Sequence, residues 1–403
     1  MAGASAVGFG GSAHATEANT TRATETSNRT RLIITRRLLA EVWDNPTAKN
    51  NPSEEAKMRS NTERVYCGID LHGNNNVVAI LDDEDSRLMR KRLPNDLGVV
   101  LATLDPYRKR LQGVAVESTY NWYWLVDGLM DAGYQVHLAN TSAIKQYEGL
   151  KYTDDDSDAL WLARMLRFKT LPQGYIYPRE KRAVRDLLRK RNQLVRQRTD
   201  DVLSVENLLA RNLGMRANAA GIRKMKDEEV DTLEGDPNRA MAIKSTLAVI
   251  RGIDVEIAKV EREVLKQVAP DPQFDLLSEV PGIGKILAMT IVLETGDIKR
   301  FPSVGNYASY CRRVKSTKLT NNKKKGENNR KNGNSHLAWA YGEAAMQAIL
   351  NAPAIKTFYE RKRAKTNVPS AMNAVGHKLA RAFYHVMRTG KAFEMKRAFG
   401  RER

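Results

Sequence analysis

Cysteine is almost missing from this sequence: Cys67 and Cys311 are the two it has in 403 residues. That excludes a disulfide framework and any multi-cysteine metal site, and suits a reducing compartment. No apolar run approaches the roughly 18 residues of a membrane span. The N-terminus also lacks the apolar core of a secretory signal, so a cytoplasmic protein without membrane contact is expected. No GxxxxGK(S/T) loop is present, which leaves no phosphate cradle of that kind. Acidic residues are in deficit, 47 Asp and Glu against 66 Lys and Arg, for a net charge of +19. Gathered on one face, such an excess suits a polyanion. Ribosomal proteins, membrane-surface proteins and nucleic-acid enzymes share the bias, so the motifs must choose among them.

The first stretch, residues 1–30, is rich in Ala, Gly, Ser and Thr with little to bury, and residues 1–63 as a whole are expected to be a disordered extension. Within it, residues 31–43 could form a short amphipathic helix, and Met58 is a candidate natural start. From Val65 the pattern predicts strands in VYCGIDLH, VVAILDD and RLMRKRL, a helix over 95–111, and a buried strand GVAVEST. A Trp-rich helix from Asn121 to Ala132, a strand YQVHLAN and a helix near 154–167 follow. Three strands and then alternating helices and strands is the order of an α/β RNase H-like (RuvC-type) domain, assigned to 64–179. A doubly wound fold would not open with a meander. Residues 180–270 read as a helical hairpin or coiled coil, with Ile243, Leu247, Ile250, Ile257, Val260, Val264 and Val268 at three- and four-residue steps. Residues 271–395 read as a mainly α-helical domain interrupted by a Lys- and Asn-rich loop, and 396–403 as a tail.

Asp70 falls in the first strand, Glu117 at the end of a later one, and Asp154, Asp155, Asp156 and Asp158 at the start of a helix. Acids in a first helical turn commonly serve the helix dipole, with Thr153 a candidate N-cap. That accounts for one or two of the four acids and not for their coincidence with Asp70 and Glu117. Asp155 and Asp158 share a helix face, as Asp154 and Asp158 could, so spacing does not choose. A cluster of carboxylates repels itself unless cations neutralise it, and oxygen ligands select Mg²⁺ or Mn²⁺. Two such ions can activate an attacking oxygen and stabilise a leaving one in phosphodiester cleavage.

Further along, VPGIGKILA holds a Pro-Gly-x-Gly turn whose Gly282, Gly284 and Lys285 could bind a phosphate at a helix N-terminus or form an ordinary tight turn. The segment VKSTKLTNNKKKGENNRK, with Lys323, Lys324 and Lys325, is read as a phosphate-binding loop, and the basic run containing Arg189, Lys190 and Arg191 as a nucleic-acid contact. Arg361, Lys362, Arg363 and Lys365 read first as a solvated face, and His377 and His385 as surface or hydrogen-bonding residues rather than metal ligands.

Taken in order, GIDLH, VEST, DDDSDALWLA, VPGIGKILA, GDIKRF, NNKKKGENNRKNGN and HLAWAYGEAA resemble the DEDD transposases of the IS110 family of insertion sequences, in its IS eleven-eleven branch, over about residues 64–390. The resemblance implies Asp70, Glu117, Asp155 and Asp158 as the catalytic, metal-holding acids, and prefers Asp155 over Asp154. It also implies a hydroxyl nucleophile immediately before Asn-x-Lys-x-Lys-Gly. The family has serine there, whereas this chain has Thr320, with Ser316 four residues earlier as the alternative. Donor and target DNA, a structured non-coding guide RNA and a dimeric or tetrameric assembly are implied as partners. The rival readings are a junction-type nuclease that uses water as nucleophile and a catalytically weak nucleic-acid-binding relative of a transposase.

Overall fold

The computed structural model describes residues 64–144, 155–314, 317–320, 323–327 and 332–400, leaving out the side chains of 155–157 and of the 317–320 and 323–327 segments. The expectations placed on residues 1–63, including the 31–43 helix and the Met58 start, lie outside the described residues.

Strict alternation along the first strands gives the sheet two unlike faces. Val65–Leu71 (β1), Asn75–Asp82 (β2) and Arg87–Pro94 (β3) form the predicted antiparallel meander. Leu111–Glu117 (β4) and Val136–Ala139 (β5) add in parallel on the other side of β1, giving the order β3-β2-β1-β4-β5. The predicted 95–111 helix is shorter, Leu97–Leu104 (α1), because Pro106 opens a 3-10 turn and β4 begins at Leu111. Asp96 caps α1 through the Val99 N–H. The Trp-rich segment forms Tyr123–Asp131 (α2), and Asp155–Arg167 (α3) follows β5.

One face of the sheet carries large apolar side chains. Val65, Cys67, Ile69, Leu71, Val114 and Val116 share a core with Val100 and Leu104 of α1 and with Leu125, Val126 and Leu129 of α2. The other face carries small ones: Ala79 packs with Ala159 of α3, and Ala115 and Ala139 with Leu162. Short side chains there let α3 approach the strands closely. Strand β3 closes one edge with exposed Arg87, Arg90, Lys91 and Arg92 and with Pro94, residues that discourage pairing with another chain.

Arg179–Leu213 (α4) and Pro237–Val268 (α7) are the long helices of the predicted hairpin, separated by Ala219–Lys224 (α5) and Asp227–Leu233 (α6). Val202, Val205 and Leu209 meet Ile243, Leu247 and Ile250 at one end, and Leu188 meets Val264 and Val268 at the other. Of the expected stripe, Val260 alone is only partly buried.

The basic run of α4 is largely engaged within the fold. Arg182 Nη1 donates to both oxygens of Asp127, at 2.7 and 2.8 Å, and its guanidinium rests against the rings of Trp122 and Tyr123. Arg189 forks onto buried Glu294 at 2.6 and 2.8 Å, and Arg191 reaches Glu261 at 2.6 Å. Their planar guanidinium groups suit such bidentate, half-buried pairing. Arg189 and Arg191 thus act as struts within the fold, while Lys190 stays exposed beside Gln193. Sequence reasoning missed this because the carboxylate partners lie 70 and 105 positions away.

Pro272–Ser278 (α8), Lys285–Thr295 (α9), Val304–Tyr310 (α10), Ser335–Asn351 (α11), Pro353–Arg363 (α12), Val368–Thr389 (α13) and Met395–Phe399 (α14) build the last domain. At its centre the buried Tyr307 hydroxyl lies 2.8 Å from that of Tyr341 and 2.9 Å from Thr295. Of the expected tail 396–403, the described residues 396–400 are part of this domain, since buried Phe399 meets Phe358 edge-on at 5.6 Å. The Lys- and Asn-rich stretch is not wholly loop either. Thr317–Thr320 (β6) pairs antiparallel with Lys323–Glu327 (β7), which suits the β-propensity of Thr317, Leu319 and Thr320.

Candidate active site

Strands β1 and β4 run parallel with Gly68 opposite Ala115 and Ile69 opposite Val116. One further step brings Asp70 level with Glu117 at the C-terminal ends of two central strands. Because side chains alternate, both point away from the large apolar core and toward the face that α3 covers. Asp70 is 2% exposed, and its carboxylate is hydrogen-bonded to that of Glu117. Burial, that hydrogen bond, and the charges of Asp70 and Asp158 push Glu117 up to about 9. Close carboxyl groups resist ionising together without a compensating cation, so Glu117 keeps its proton at neutral pH.

His72, two residues after Asp70 on the same side of the strand, was not singled out in the sequence. Its Nε2 lies 3.1 Å from Asp70 Oδ2. Its carbonyl accepts from the side-chain amides of Asn95 and Asn121, both at 3.0 Å, which fixes the end of β1. The i+2 spacing in GIDLH was the available signal.

Gly68 decides where the third acid arrives. A Cβ on Gly68 would stand 2.0 Å from the Ala159 carbonyl oxygen and 2.7 Å from the Ala163 nitrogen, so α3 rests on bare backbone there. Asp158 immediately precedes this contact and adds its charge to the Glu117 environment. At its other end α3 is held by Arg164 on Asp85, at 2.8 and 3.1 Å, and by Arg167 on Asp85 at 3.3 Å. Gly68→Val is expected to lower stability by roughly 3 kcal/mol, since the intruding atoms meet backbone that cannot rotate aside. Denaturant unfolding checks this, and a loss under about 1 kcal/mol would show that α3 does not need this approach.

Asp155 is the first residue of α3, but its side chain lies outside the described residues, as does Asp154 entirely. Among the described residues, no group of three or more His, Cys, Asp and Glu stands at metal-holding separation. Thr320 and Lys323 are cross-strand partners in the β6–β7 hairpin, Leu319 faces Lys324, and Lys325 follows on β7. Ser316 lies outside the described residues. Gly282 has φ +88°, and a Cβ there would stand 2.5 Å from the Ala348 nitrogen of α11, so turn conformation and packing both require glycine. Gly284 precedes α9 with open space around it, and Lys285 is exposed. The structure thus places Asp70 beside Glu117 and brings Asp158 near enough for its charge to act on Glu117, without the three standing at metal-holding separation, while the hairpin and the glycine turn belong to the helical domain. No described helix is long and apolar enough to cross a membrane.

Residues 67–212 match the DEDD transposase family of IS110, described as Transposase, and residues 274–360 match the Transposase IS116/IS110/IS902 family. The chain belongs to the IS110 family of transposases. The first match runs to the end of α4 and the second begins within α8, so α5–α7 lie between them, and the first contains all four predicted acids. Among similar proteins, this IS110-family transposase is 23% identical over 178 residues to the 43.6 kDa protein of insertion element IS110 in Streptomyces coelicolor, covering 44% of each chain. It is 24% identical to a family 20 transposase of Pseudomonas aeruginosa, covering 56% of this chain and 67% of the relative. It is also 24% identical to a protein named as a mini-circle transposase for IS117 in Streptomyces coelicolor, covering 83% of this chain and 96% of the relative. The chain therefore spans less than half of the first of these relatives and nearly all of the third.

Proposed function

We propose that this transposase cleaves and rejoins DNA strands at the face where Asp70 and Glu117 meet Asp158, with Asp155 completing the set. The observation that carries the reading is the in-register placement of Asp70 and Glu117 on adjacent parallel strands beneath α3. Antiparallel meander, two parallel strands and a helix over their acidic ends together support an RNase H-like, RuvC-type assignment for the sheet domain. The donor set is all hard oxygen, and the raised Glu117 marks the place where a cation would relieve repulsion, which fits Mg²⁺ or Mn²⁺. When bound, such a cation supplies electrostatic stabilisation of charge on the scissile phosphate.

The chain's own residues supply the rest. Asp70, Glu117, Asp155 and Asp158 hold the charge and orient the phosphate. The hydroxyl of Thr320, or of Ser316, attacks phosphorus: a phosphorus–oxygen bond to the protein forms, the bond to one DNA oxygen breaks, and that oxygen leaves as a hydroxyl after gaining a proton. The reverse attack by a DNA hydroxyl rejoins the strand, so no nucleotide hydrolysis is needed. Lys323, Lys324 and Lys325 hold phosphates beside the hairpin, with Lys190, Gly284 and Lys285 as further contacts. A guide RNA and a dimeric or tetrameric assembly belong to the same reading. Leu203 of α4 and Met241, Val249 and Val255 of α7 are exposed and suit a coiled-coil contact between copies.

Metal binding tests the proposal independently of activity. Without a cation, folded Glu117 keeps a proton that the unfolded chain releases above 4.5. Its contribution to stability is fully present below that value and is lost as pH rises through about 9. A cation displaces the proton, so Mg²⁺ is expected to raise the melting temperature much more at about pH 8.5 than at about pH 6, with affinity gaining up to tenfold per pH unit. Glu117→Gln removes the pH dependence. Equal Mg²⁺ effects at both pH values in the wild type would remove Glu117 from the cation site.

A further inference from the structure

The outer face of the last helices carries charge that the carboxylate site does not use. Two cavities of about 420 and 540 Å³ open there and adjoin at His377 and Lys378 of α13, which line both, so together they are treated as one groove. Lys362 and Lys365 lie toward one end, and Arg381 and Arg397 toward the other. Glu394 is the one carboxylate among the described lining residues. The neighbouring Glu360 is already paired with Arg363 at 2.8 Å. Among the described residues, Lys362, Lys365 and Arg381 have no carboxylate at ion-pair distance, in a molecule that otherwise pairs its arginines freely.

The groove is a built feature. Lys378 bonds the Ala398 carbonyl at 2.9 Å and lies 5.2 and 5.8 Å over the rings of Phe358 and Phe399. Both rings are buried, each 6% exposed, so they form a floor and offer no open face on which a base could stack. Lys378, Arg381 and His385 recur at three- and four-residue steps, which aligns them on one side of α13. A row of fixed and mobile cations with almost no acid, and with Phe393 the one lining phenylalanine not sealed into the floor, matches a run of phosphates read with little regard to base.

We infer that this groove binds the sugar–phosphate backbone of a nucleic acid, giving the transposase a sequence-independent contact formed entirely by the helical domain. The inference deepens the proposed function and rests on its nucleic-acid partners, while needing neither metal nor cleavage.

The test is equilibrium binding by the full chain in EDTA, across a salt series, to short random-sequence duplex DNA and to a hairpin RNA. The variant Lys362→Ala/Lys365→Ala/Arg381→Ala is compared with Lys259→Ala/Arg262→Ala/Lys266→Ala on α7. The groove variant is expected to bind at least about tenfold more weakly near 150 mM salt, and to lower the slope of log affinity against log salt by roughly 2–3 on a duplex. The α7 variant should leave the slope near that of the wild type. The probe that suffers the loss, DNA or RNA, names the source of the phosphates. Equal slopes for the two variants on both probes would overturn the inference. Thermal melting shows whether the variants fold. Asp70→Asn, run in parallel, should lose cleavage and keep this binding, so failure of the groove and failure of the carboxylate site give different results.

Discussion

Asp70→Asn is expected to slow DNA cleavage by about 10³-fold, a barrier increase of roughly 4 kcal/mol, while leaving the melting temperature unchanged or higher. Asparagine keeps the volume of aspartate and can still hydrogen-bond Glu117. It removes the buried negative charge that, together with burial, pushes Glu117 up to about 9. The folded protein thereby loses an internal repulsion and, in the proposed mechanism, the donor that helps hold a cation. A rate measurement on element-end DNA with melting curves on the same preparations checks both halves. Cleavage at the wild-type rate would remove the carboxylate mechanism, and a large loss of stability would mean that Asp70 is chiefly structural.

Thr320→Ala is expected to lower the yield of covalent protein–DNA adduct by about 10³-fold, since no other atom of that side chain can attack phosphorus. Thr320→Ser should retain the adduct and form it at least as fast, because serine lacks the methyl that restricts the rotamer and crowds the phosphate. Thr320 ends a four-residue strand and is paired with Lys323, so its backbone is held next to the Lys323–Lys325 cations. Ser316→Ala should leave the adduct intact. Denaturing gels with labelled DNA distinguish the cases: adduct lost in Ser316→Ala and kept in Thr320→Ala would move the nucleophile to Ser316, and adduct retained in both would remove the hydroxyl mechanism.

Sheet and acids were legible because their information is local. The alternation in VYCGIDLH fixes which residues face α3, and a parallel neighbour ending in Glu117 then has only one side on which to meet Asp70. Gly68 shows where local reading stops: the glycine is visible in the sequence, but its need to admit the Ala159 carbonyl depends on a helix 91 positions later. Arg189 and Arg191 went the other way, since a basic run looks the same whether it meets nucleic acid or distant carboxylates. Glu294 and Glu261 claim them only once α4, α7 and α9 are packed. Composition pointed to a loop in 317–327, and alternation over strands of four and five residues is too short to have overruled it. The C-terminal groove was invisible for the same reason, being made from cations on three helices.

The most direct test of the central claim is to soak crystals of the full-length protein with Mn²⁺ and record anomalous scattering, for the wild type and for Asp70→Asn. The account predicts an anomalous peak between Asp70 and Glu117 at pH 8 in the wild type, and its loss in the variant. A peak elsewhere with none at this pair, or an unchanged peak in Asp70→Asn, would contradict it.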